Sequence, residues 1–423
     1  GDGFGVRQPP VGDNRFVPWV NAPPGTTQRL EVFYCVNPGD GAAAIETVKR
    51  YTRSDRFAAL PGYLTFTSHY HVEHTLDLMK RQAAAGNTGL PAELREPGFV
   101  RALRGAGVDI VHLAEFHNGQ TPKLATAERL RQVRLMHAEC ARLSDEKFLL
   151  LPGEEPNVHL GGHWISFFPK PVLWVLNRPA GTPFVQQTPA GETVYHVGSP
   201  ADIHELMTRE NGLMWTAHAR IKSSIAFPDA YRETDFFKSP HFLGAAWKAM
   251  PADYSRDTLG WRVLDLLGDM SNWGADKRVL GEVDVFKIEP HYELYGHMNV
   301  NYLKLGRVPR FADGWQPVLD VLRRGEFFVT TGEILLPAVK IERTSRGLRV
   351  RASVQGTFPL RFAELVSGDG EKTQRHRIDL QHVKEFSTVE IDETPPAAGA
   401  KWARLEVWDI AANGAFTQPV PLN

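Results

Sequence analysis

Gly62-Tyr63-Leu64-Thr65-Phe66-Thr67-Ser68-His69-Tyr70-His71 is the stretch on which the fold turns. Its apolar and β-branched residues predict a strand over 62–71, and helical spacing follows over 72–84. Side chains at i and i+2 of a strand share a face, so His69 and His71 are expected to converge where the strand ends. The pattern recurs along the chain. A strand over 108–115 runs into Glu115-Phe116-His117, one over 148–151 into Pro152-Gly153-Glu154-Glu155, and one over 213–217 into His218. A last strand over 283–288 runs into Glu289-Pro290-His291. Amphipathic spacing predicts helices over 124–143 and 316–324, with a strand at 326–331. Strands alternating with helices predict a parallel β/α architecture.

Beyond about residue 338 the texture changes. Period-two alternation at 348–354, 360–366 and 403–408, broken by Ser367-Gly368-Asp369-Gly370 and Asn413-Gly414, predicts an antiparallel β-sandwich. The expected organisation is a lead-in over 1–60, a β/α barrel over 61–337 and the sandwich over 338–423. The lead-in, with a strand at 29–36 and a helix at 42–52, reads as the end of a further domain. The opening Gly1-Asp2-Gly3 lacks a Met, as expected of a mature or trimmed form.

Composition narrows the function. A net charge of −1 gives no bulk attraction to nucleic acid, and no apolar run is long enough to span a membrane. Two cysteines, Cys35 and Cys140, are too few for a thiolate zinc site or a disulfide scaffold, and both read as free core thiols. Sixteen histidines in 423 residues, by contrast, are nearly double ordinary usage. Five strand ends that each carry His or Glu would open on one face of a barrel, and buried imidazoles and carboxylates crowded there call for a cation. Such donors suit Zn, Mn or Fe. No Gly-x-Ser-x-Gly elbow is present and Cys140 lies within a helical stretch, so a covalent nucleophile has no candidate.

The order His-x-His, acid-x-His, Gly-x-Glu with a downstream His, a lone His, and acid-x-His resembles the polymerase-and-histidinol-phosphatase (PHP) superfamily. Residues 315–336, with Leu322-Arg323-Arg324-Gly325-Glu326-Phe327-Phe328-Val329-Thr330-Thr331-Gly332-Glu333, are similar to the end of that domain in its carbaryl-hydrolase-like branch. The tail over 402–409 and 414–419 resembles that branch's C-terminal sandwich. The resemblance covers about 60–423 and implies a distorted seven-stranded, TIM-like α/β barrel holding two or three divalent metal ions. Carried over, the ligands are His69, His71, Glu115, His117, Glu154 or Glu155, His163, His218, Glu289 and His291. The family's second motif is commonly an adjacent Asp-His and its last an Asp-x-His, so Asp284 and His297 stand as alternatives for the final ligands.

Around this set, Arg220 and Lys222 are candidates to grip an anionic group, Tyr70 and His74 to donate a proton or hydrogen bond, and His159 to face substrate. His112 reads as structural and His137 and His204 as surface residues, while 268–274 reads as a loop. The expected activity is hydrolysis of a phosphoester by metal-bound hydroxide. A carboxylic or carbamic ester or amide is the alternative substrate. A further alternative is a carbohydrate-related module using Trp164, Trp174 and Trp247. The expected partner is a small-molecule or glycan-linked substrate, with neither nucleic acid nor membrane.

Overall fold

The computed structural model describes residues 27, 29, 34, 36–86, 89–115, 124–221, 224, 226–249, 253–286, 288, 298–397 and 399–422. The expected strand at 29–36, and Cys35 within it, lie largely outside them. Helix α1 (Gly41–Tyr51) precedes β1 (Leu64–Tyr70), α2 (His74–Ala85), α3 (Gly98–Gly105), β2 (Ile110–Leu113), α4 (Thr126–Leu143) and β3 (Leu149–Leu151). Next come β4 (Trp164–Phe167), the small sheet β5 (Leu173–Val175), β6 (Val185–Gln187) and β7 (Thr193–His196), then α5 (Pro200–Arg209) and β8 (Leu213–Thr216). They are followed by α6 (Asp235–Lys238), β9 (Phe242–Trp247), α7 (Trp261–Asn272), β10 (Arg278–Gly281), β11 (Val300–Leu303), α8 (Gln316–Arg324) and β12 (Phe327–Thr330). Among the described residues, strands alone follow: β13 (Ile334–Thr344), β14 (Gly347–Gly356), β15 (Leu360–Gly368), β16 (Thr373–Asp379), β17 (Ser387–Glu393), β18 (Trp402–Asp409), β19 (Gly414–Thr417) and β20 (Val420–Pro421).

The fold is mixed α/β. One sheet runs β3-β2-β1-β11-β12-β19-β18-β15-β16, with β20 beside β18; β1, β2 and β3 are parallel and the rest antiparallel. A second sheet, β4-β8-β9-β10, has β8, β9 and β10 parallel and β4 reversed. Helices connect the parallel strands, as such crossovers require. Helix α5 shows the local logic. Ser199 caps it by accepting from the Asp202 N–H, Pro200 opens the first turn, and Arg209 sits in the last turn against the helix dipole. Helix α8 ends on Gly325 in the left-handed conformation and buries Val318, Leu319, Val321 and Leu322, each contributing roughly 2 kcal/mol.

Among the described residues no ladder joins these two sheets into a closed barrel. Single backbone bonds cross between them instead. Ser166 N donates to Glu154 O (3.0 Å), Val283 N to Ser68 O (3.1 Å) and His71 N to Val285 O (2.8 Å). The large sheet draws strands from both sides of residue 338, because β12 pairs with β19, and β13, in another sheet, spans that position. The separate sheet β13-β14-β17 shares a core with the antiparallel end of the large sheet, through Val350, Val354 and Ile391 on one side and Leu365, Leu405 and Val407 on the other.

Two local expectations are corrected. The strand expected over 283–288 is β10, Arg278–Gly281, and among the described residues of the later stretch Val285 alone makes a bridge, to Tyr70. The stretch 268–274 is mostly the end of α7 rather than a loop. No helix among the described residues is long and apolar enough to cross a membrane.

Candidate metal centre

The ends of β1, β3, β8 and β10 meet. His69 does not reach the meeting point through simple strand alternation. The β1–β2 register shifts between Ser68 and Tyr70, and His69 itself has φ 78. This bulge flips the parity of the strand. Phe66 and Tyr70 are four residues apart, yet they lie in different core clusters. His69 and His71 are thereby both aimed at one point. His218 (φ 34) and Asp284 (φ 59) also carry left-handed backbone. Such conformations are strained for residues with a side chain, and they cluster at functional sites.

Four donor atoms form a compact group. His69 Nε2 and His71 Nε2 are 3.0 Å apart, and Glu155 Oε2 is 3.2 Å from each. Asp284 Oδ1 stands 3.6 Å from His69 Nε2 and 3.9 Å from His71 Nε2. Donors bound tetrahedrally at ordinary zinc distances stand about 3.3–3.4 Å apart. The second oxygen of Glu155, Oε1, is 3.0 Å from both His163 Nδ1 and His218 Nε2. Glu155 thus offers one oxygen to each of two donor groups. Two overlapping sets, His69–Glu155–His218 and His69–His71–Asp284, hold donor atoms within 4.8 Å of one another.

The next layer fixes these donors. His69 Nδ1 donates to Glu282 Oε2 at 2.7 Å, leaving Nε2 free to offer its lone pair. The other oxygen of Glu282 accepts the backbone N–H of His218. Lys248 Nζ pairs with Asp284 Oδ2 at 2.7 Å. Among the described residues, carboxylates Glu155, Glu282 and Asp284 lie close to His69, with Lys248 beside Asp284, and all are buried or nearly so. These carboxylates explain the proton affinities. Burial disfavours the His69 cation, but Glu155, Glu282 and Asp284 overcome it and push the imidazole up to about 10. Burial likewise pushes Glu155 up, yet His69, His163 and His218 hold it well below the usual carboxylate range. Buried His71 is lowered. A centre that would otherwise have to hold protons against its carboxylates is chemically suited to a divalent cation.

Not every expected residue joins this group. Of the Glu154–Glu155 pair, only Glu155 does. Glu154 turns the other way and pairs with Arg129 on α4. Glu115 accepts from Glu73 N at 2.9 Å at the start of α2, and burial raises its carboxyl to about 8. Tyr70 is a core residue whose hydroxyl meets Thr67 Oγ1 at 3.0 Å, and burial raises its pKa. His74 Nε2 bonds Glu139 on α4 at 2.8 Å. Arg220 is locked between Asp229 (2.5 Å) and Asp269 (2.6 Å), so its guanidinium is already paired with carboxylates. His117, Lys222, Glu289, His291 and His297 lie outside the described residues. His112 is buried, bonds Ser68 Oγ at 3.0 Å and is lowered to about 3 by burial, as a structural histidine should be. Trp164, Trp174 and Trp247 are core side chains, which removes the basis for a glycan platform. Cys140 is a buried free thiol.

Sequence reasoning missed Glu282 and Lys248. Glu282-Val283-Asp284 is itself an i, i+2 acid pair just past a strand, but the expected strand over 283–288 begins inside the pair and leaves Glu282 out. No family model, no curated protein and no solved structure matches this chain.

Proposed function

We propose that this chain is a metal-dependent hydrolase of the PHP type, acting on an ester and in the first instance a phosphoester. One observation carries the reading: Glu155 presents one oxygen to His69 and His71, which Asp284 also faces, and the other to His163 and His218. Such a centre would hold two divalent ions, Zn, Mn or Fe, sharing Glu155. Bound there, they would supply Lewis acidity toward an ester oxygen and acidify water. The chain's own groups do the rest. Glu282 orients His69, Lys248 balances Asp284, and His163, whose side chain is 18% exposed against 0–4% for His69, His71 and His218, marks the side open to substrate.

The barrel expectation fits this proposal. The bonds from Ser166 to Glu154 and from Val283 to Ser68 link β1-β2-β3 to β4-β8-β9-β10 at both margins, which supports a distorted ring of seven strands. The shared core of β13-β14-β17 with β15 and β18 supports a C-terminal sandwich. A carboxylic or carbamic ester is the second reading, favoured by Arg220, which is paired with Asp229 and Asp269 and so is not poised for a phosphate.

Elemental analysis and a substrate panel test both. The expected result is stoichiometric metal and chelator-sensitive hydrolysis of phosphomonoesters or phosphodiesters. Turnover of aryl carboxylic esters alone would select the second reading. A chain that purifies without metal, and is not stabilised when Zn or Mn is added, would overturn the metal-dependent reading altogether.

A further inference from the structure

We propose that Glu282 is a positioning residue that serves both donor groups of the centre at once, an inference that rests on the metal-dependent reading above. Its side chain is completely buried, and each oxygen has its own task. Oε2 takes the Nδ1–H of His69 at 2.7 Å. This fixes the tautomer in which His69 Nε2 carries a lone pair, and that atom is the one beside His71, Glu155 and Asp284. Oε1 takes the main-chain N–H of His218, a residue held in left-handed backbone, whose Nε2 lies 3.0 Å from the other oxygen of Glu155. One carboxylate from the end of β10 therefore orients a donor from β1 and a donor following β8.

The backbone at Glu282 is anchored independently of this side chain. Its N–H donates to Trp247 O at 3.0 Å, and its carbonyl accepts from Asn299 Nδ2 at 2.6 Å. Substituting the carboxylate thus leaves the strand end tied down. Glu282→Gln keeps the shape but offers a single acceptor oxygen to two N–H donors, so one of them must face an NH2 group.

Zinc binding measured by chelator competition tests the idea. Wild type is expected to bind two equivalents. Glu282→Gln should weaken both by about 10–100-fold, the usual cost of losing a carboxylate behind a metal-binding histidine. His163→Ala should weaken only the equivalent beside Glu155 Oε1. Unchanged affinity in Glu282→Gln, or a loss confined to one equivalent, would overturn the proposal. The ¹⁵N shifts of His69 in zinc-loaded wild type give a measurement that needs no variant to fold: a proton on Nδ1 with Nε2 unprotonated is expected, and a proton on Nε2 would overturn it. A wild type that binds no zinc would instead remove the functional reading itself.

Discussion

Two buried charge clusters in this molecule follow opposite rules. One joins β15, β16 and β18. Arg404 and Glu406, both with fully buried side chains, pair at 2.7 Å, while Arg375 bridges Glu406 (3.0 Å) and Glu364 (2.8 Å). Arg377 adds a second contact to Glu364 at 3.2 Å. Burial pushes Glu406 up, but Arg404 and Arg375 more than offset it and hold its carboxyl low. Each carboxylate there meets a guanidinium from the same chain. In the other cluster, carboxylates Glu155, Glu282 and Asp284 surround a buried imidazole and drive His69 to hold a proton. Buried charge alone is therefore poor evidence of a site. The mark of one is convergent metal-ligand atoms whose carboxylates raise the proton affinity of a buried imidazole among them.

Substitutions can break this contrast. The largest effect is expected from Glu155→Gln, which removes the charge shared by both donor groups. Metal content should fall in both. Hydrolysis should drop by more than about 1,000-fold, beyond the 10–100-fold typical of an outer carboxylate. Full metal retention in this variant would show that the Glu155 carboxylate has another purpose. Glu406→Ala comes next. It leaves Arg404 buried without its main partner and should cost about 3–5 kcal/mol in denaturant unfolding, with metal content untouched. Replacing the pair together, Arg404→Met with Glu406→Leu, should cost much less. If the double replacement costs as much as the single one, the cluster is not the self-contained unit described above.

The same contrast explains how much the sequence could reveal. His69, His71, Glu155, His163 and His218 were legible because each stands at or just after a strand end or on the loop following one, and the structure brings them together. Glu282 was not. Strand β10 is only Arg278-Val279-Leu280-Gly281, a short buried run in parallel pairing, whereas the alternation Val283-Asp284-Val285-Phe286 imitates a half-buried strand better. The glycine that weakens the true signal has a reason. A Cβ on Gly281 would come within 2.9 Å of Val329 Cγ1 and 3.1 Å of Asn299 Cβ, because β10 packs closely there. A strand placed five residues late points to Glu289 and His291, keeps Asp284 as an alternative and passes over Glu282. Glu154 and Tyr70 were misjudged for a related reason: a spacing rule names neighbours, but a bulge or a buried arginine decides which of them faces inward.

The smallest expected effect sharpens the comparison by removing charge from it. His137 on α4 is a half-buried histidine lowered to about 4, and burial is the sole cause. His69, buried among carboxylates, moves the other way. In the pH range between about 4 and the ordinary value of 6.5, the unfolded chain binds a proton at His137 that the folded chain does not. Its stabilising contribution is therefore present above pH 6.5 and is lost as pH falls toward 4, by on the order of 2 kcal/mol. His137→Leu keeps the bulk of the side chain and cannot titrate, so the gap between variant and wild type in urea unfolding should shift in the variant's favour between pH 7 and pH 4.5. A gap that does not change with pH would mean that water reaches the ring, and that burial alone does not set the proton affinity of a histidine in this fold.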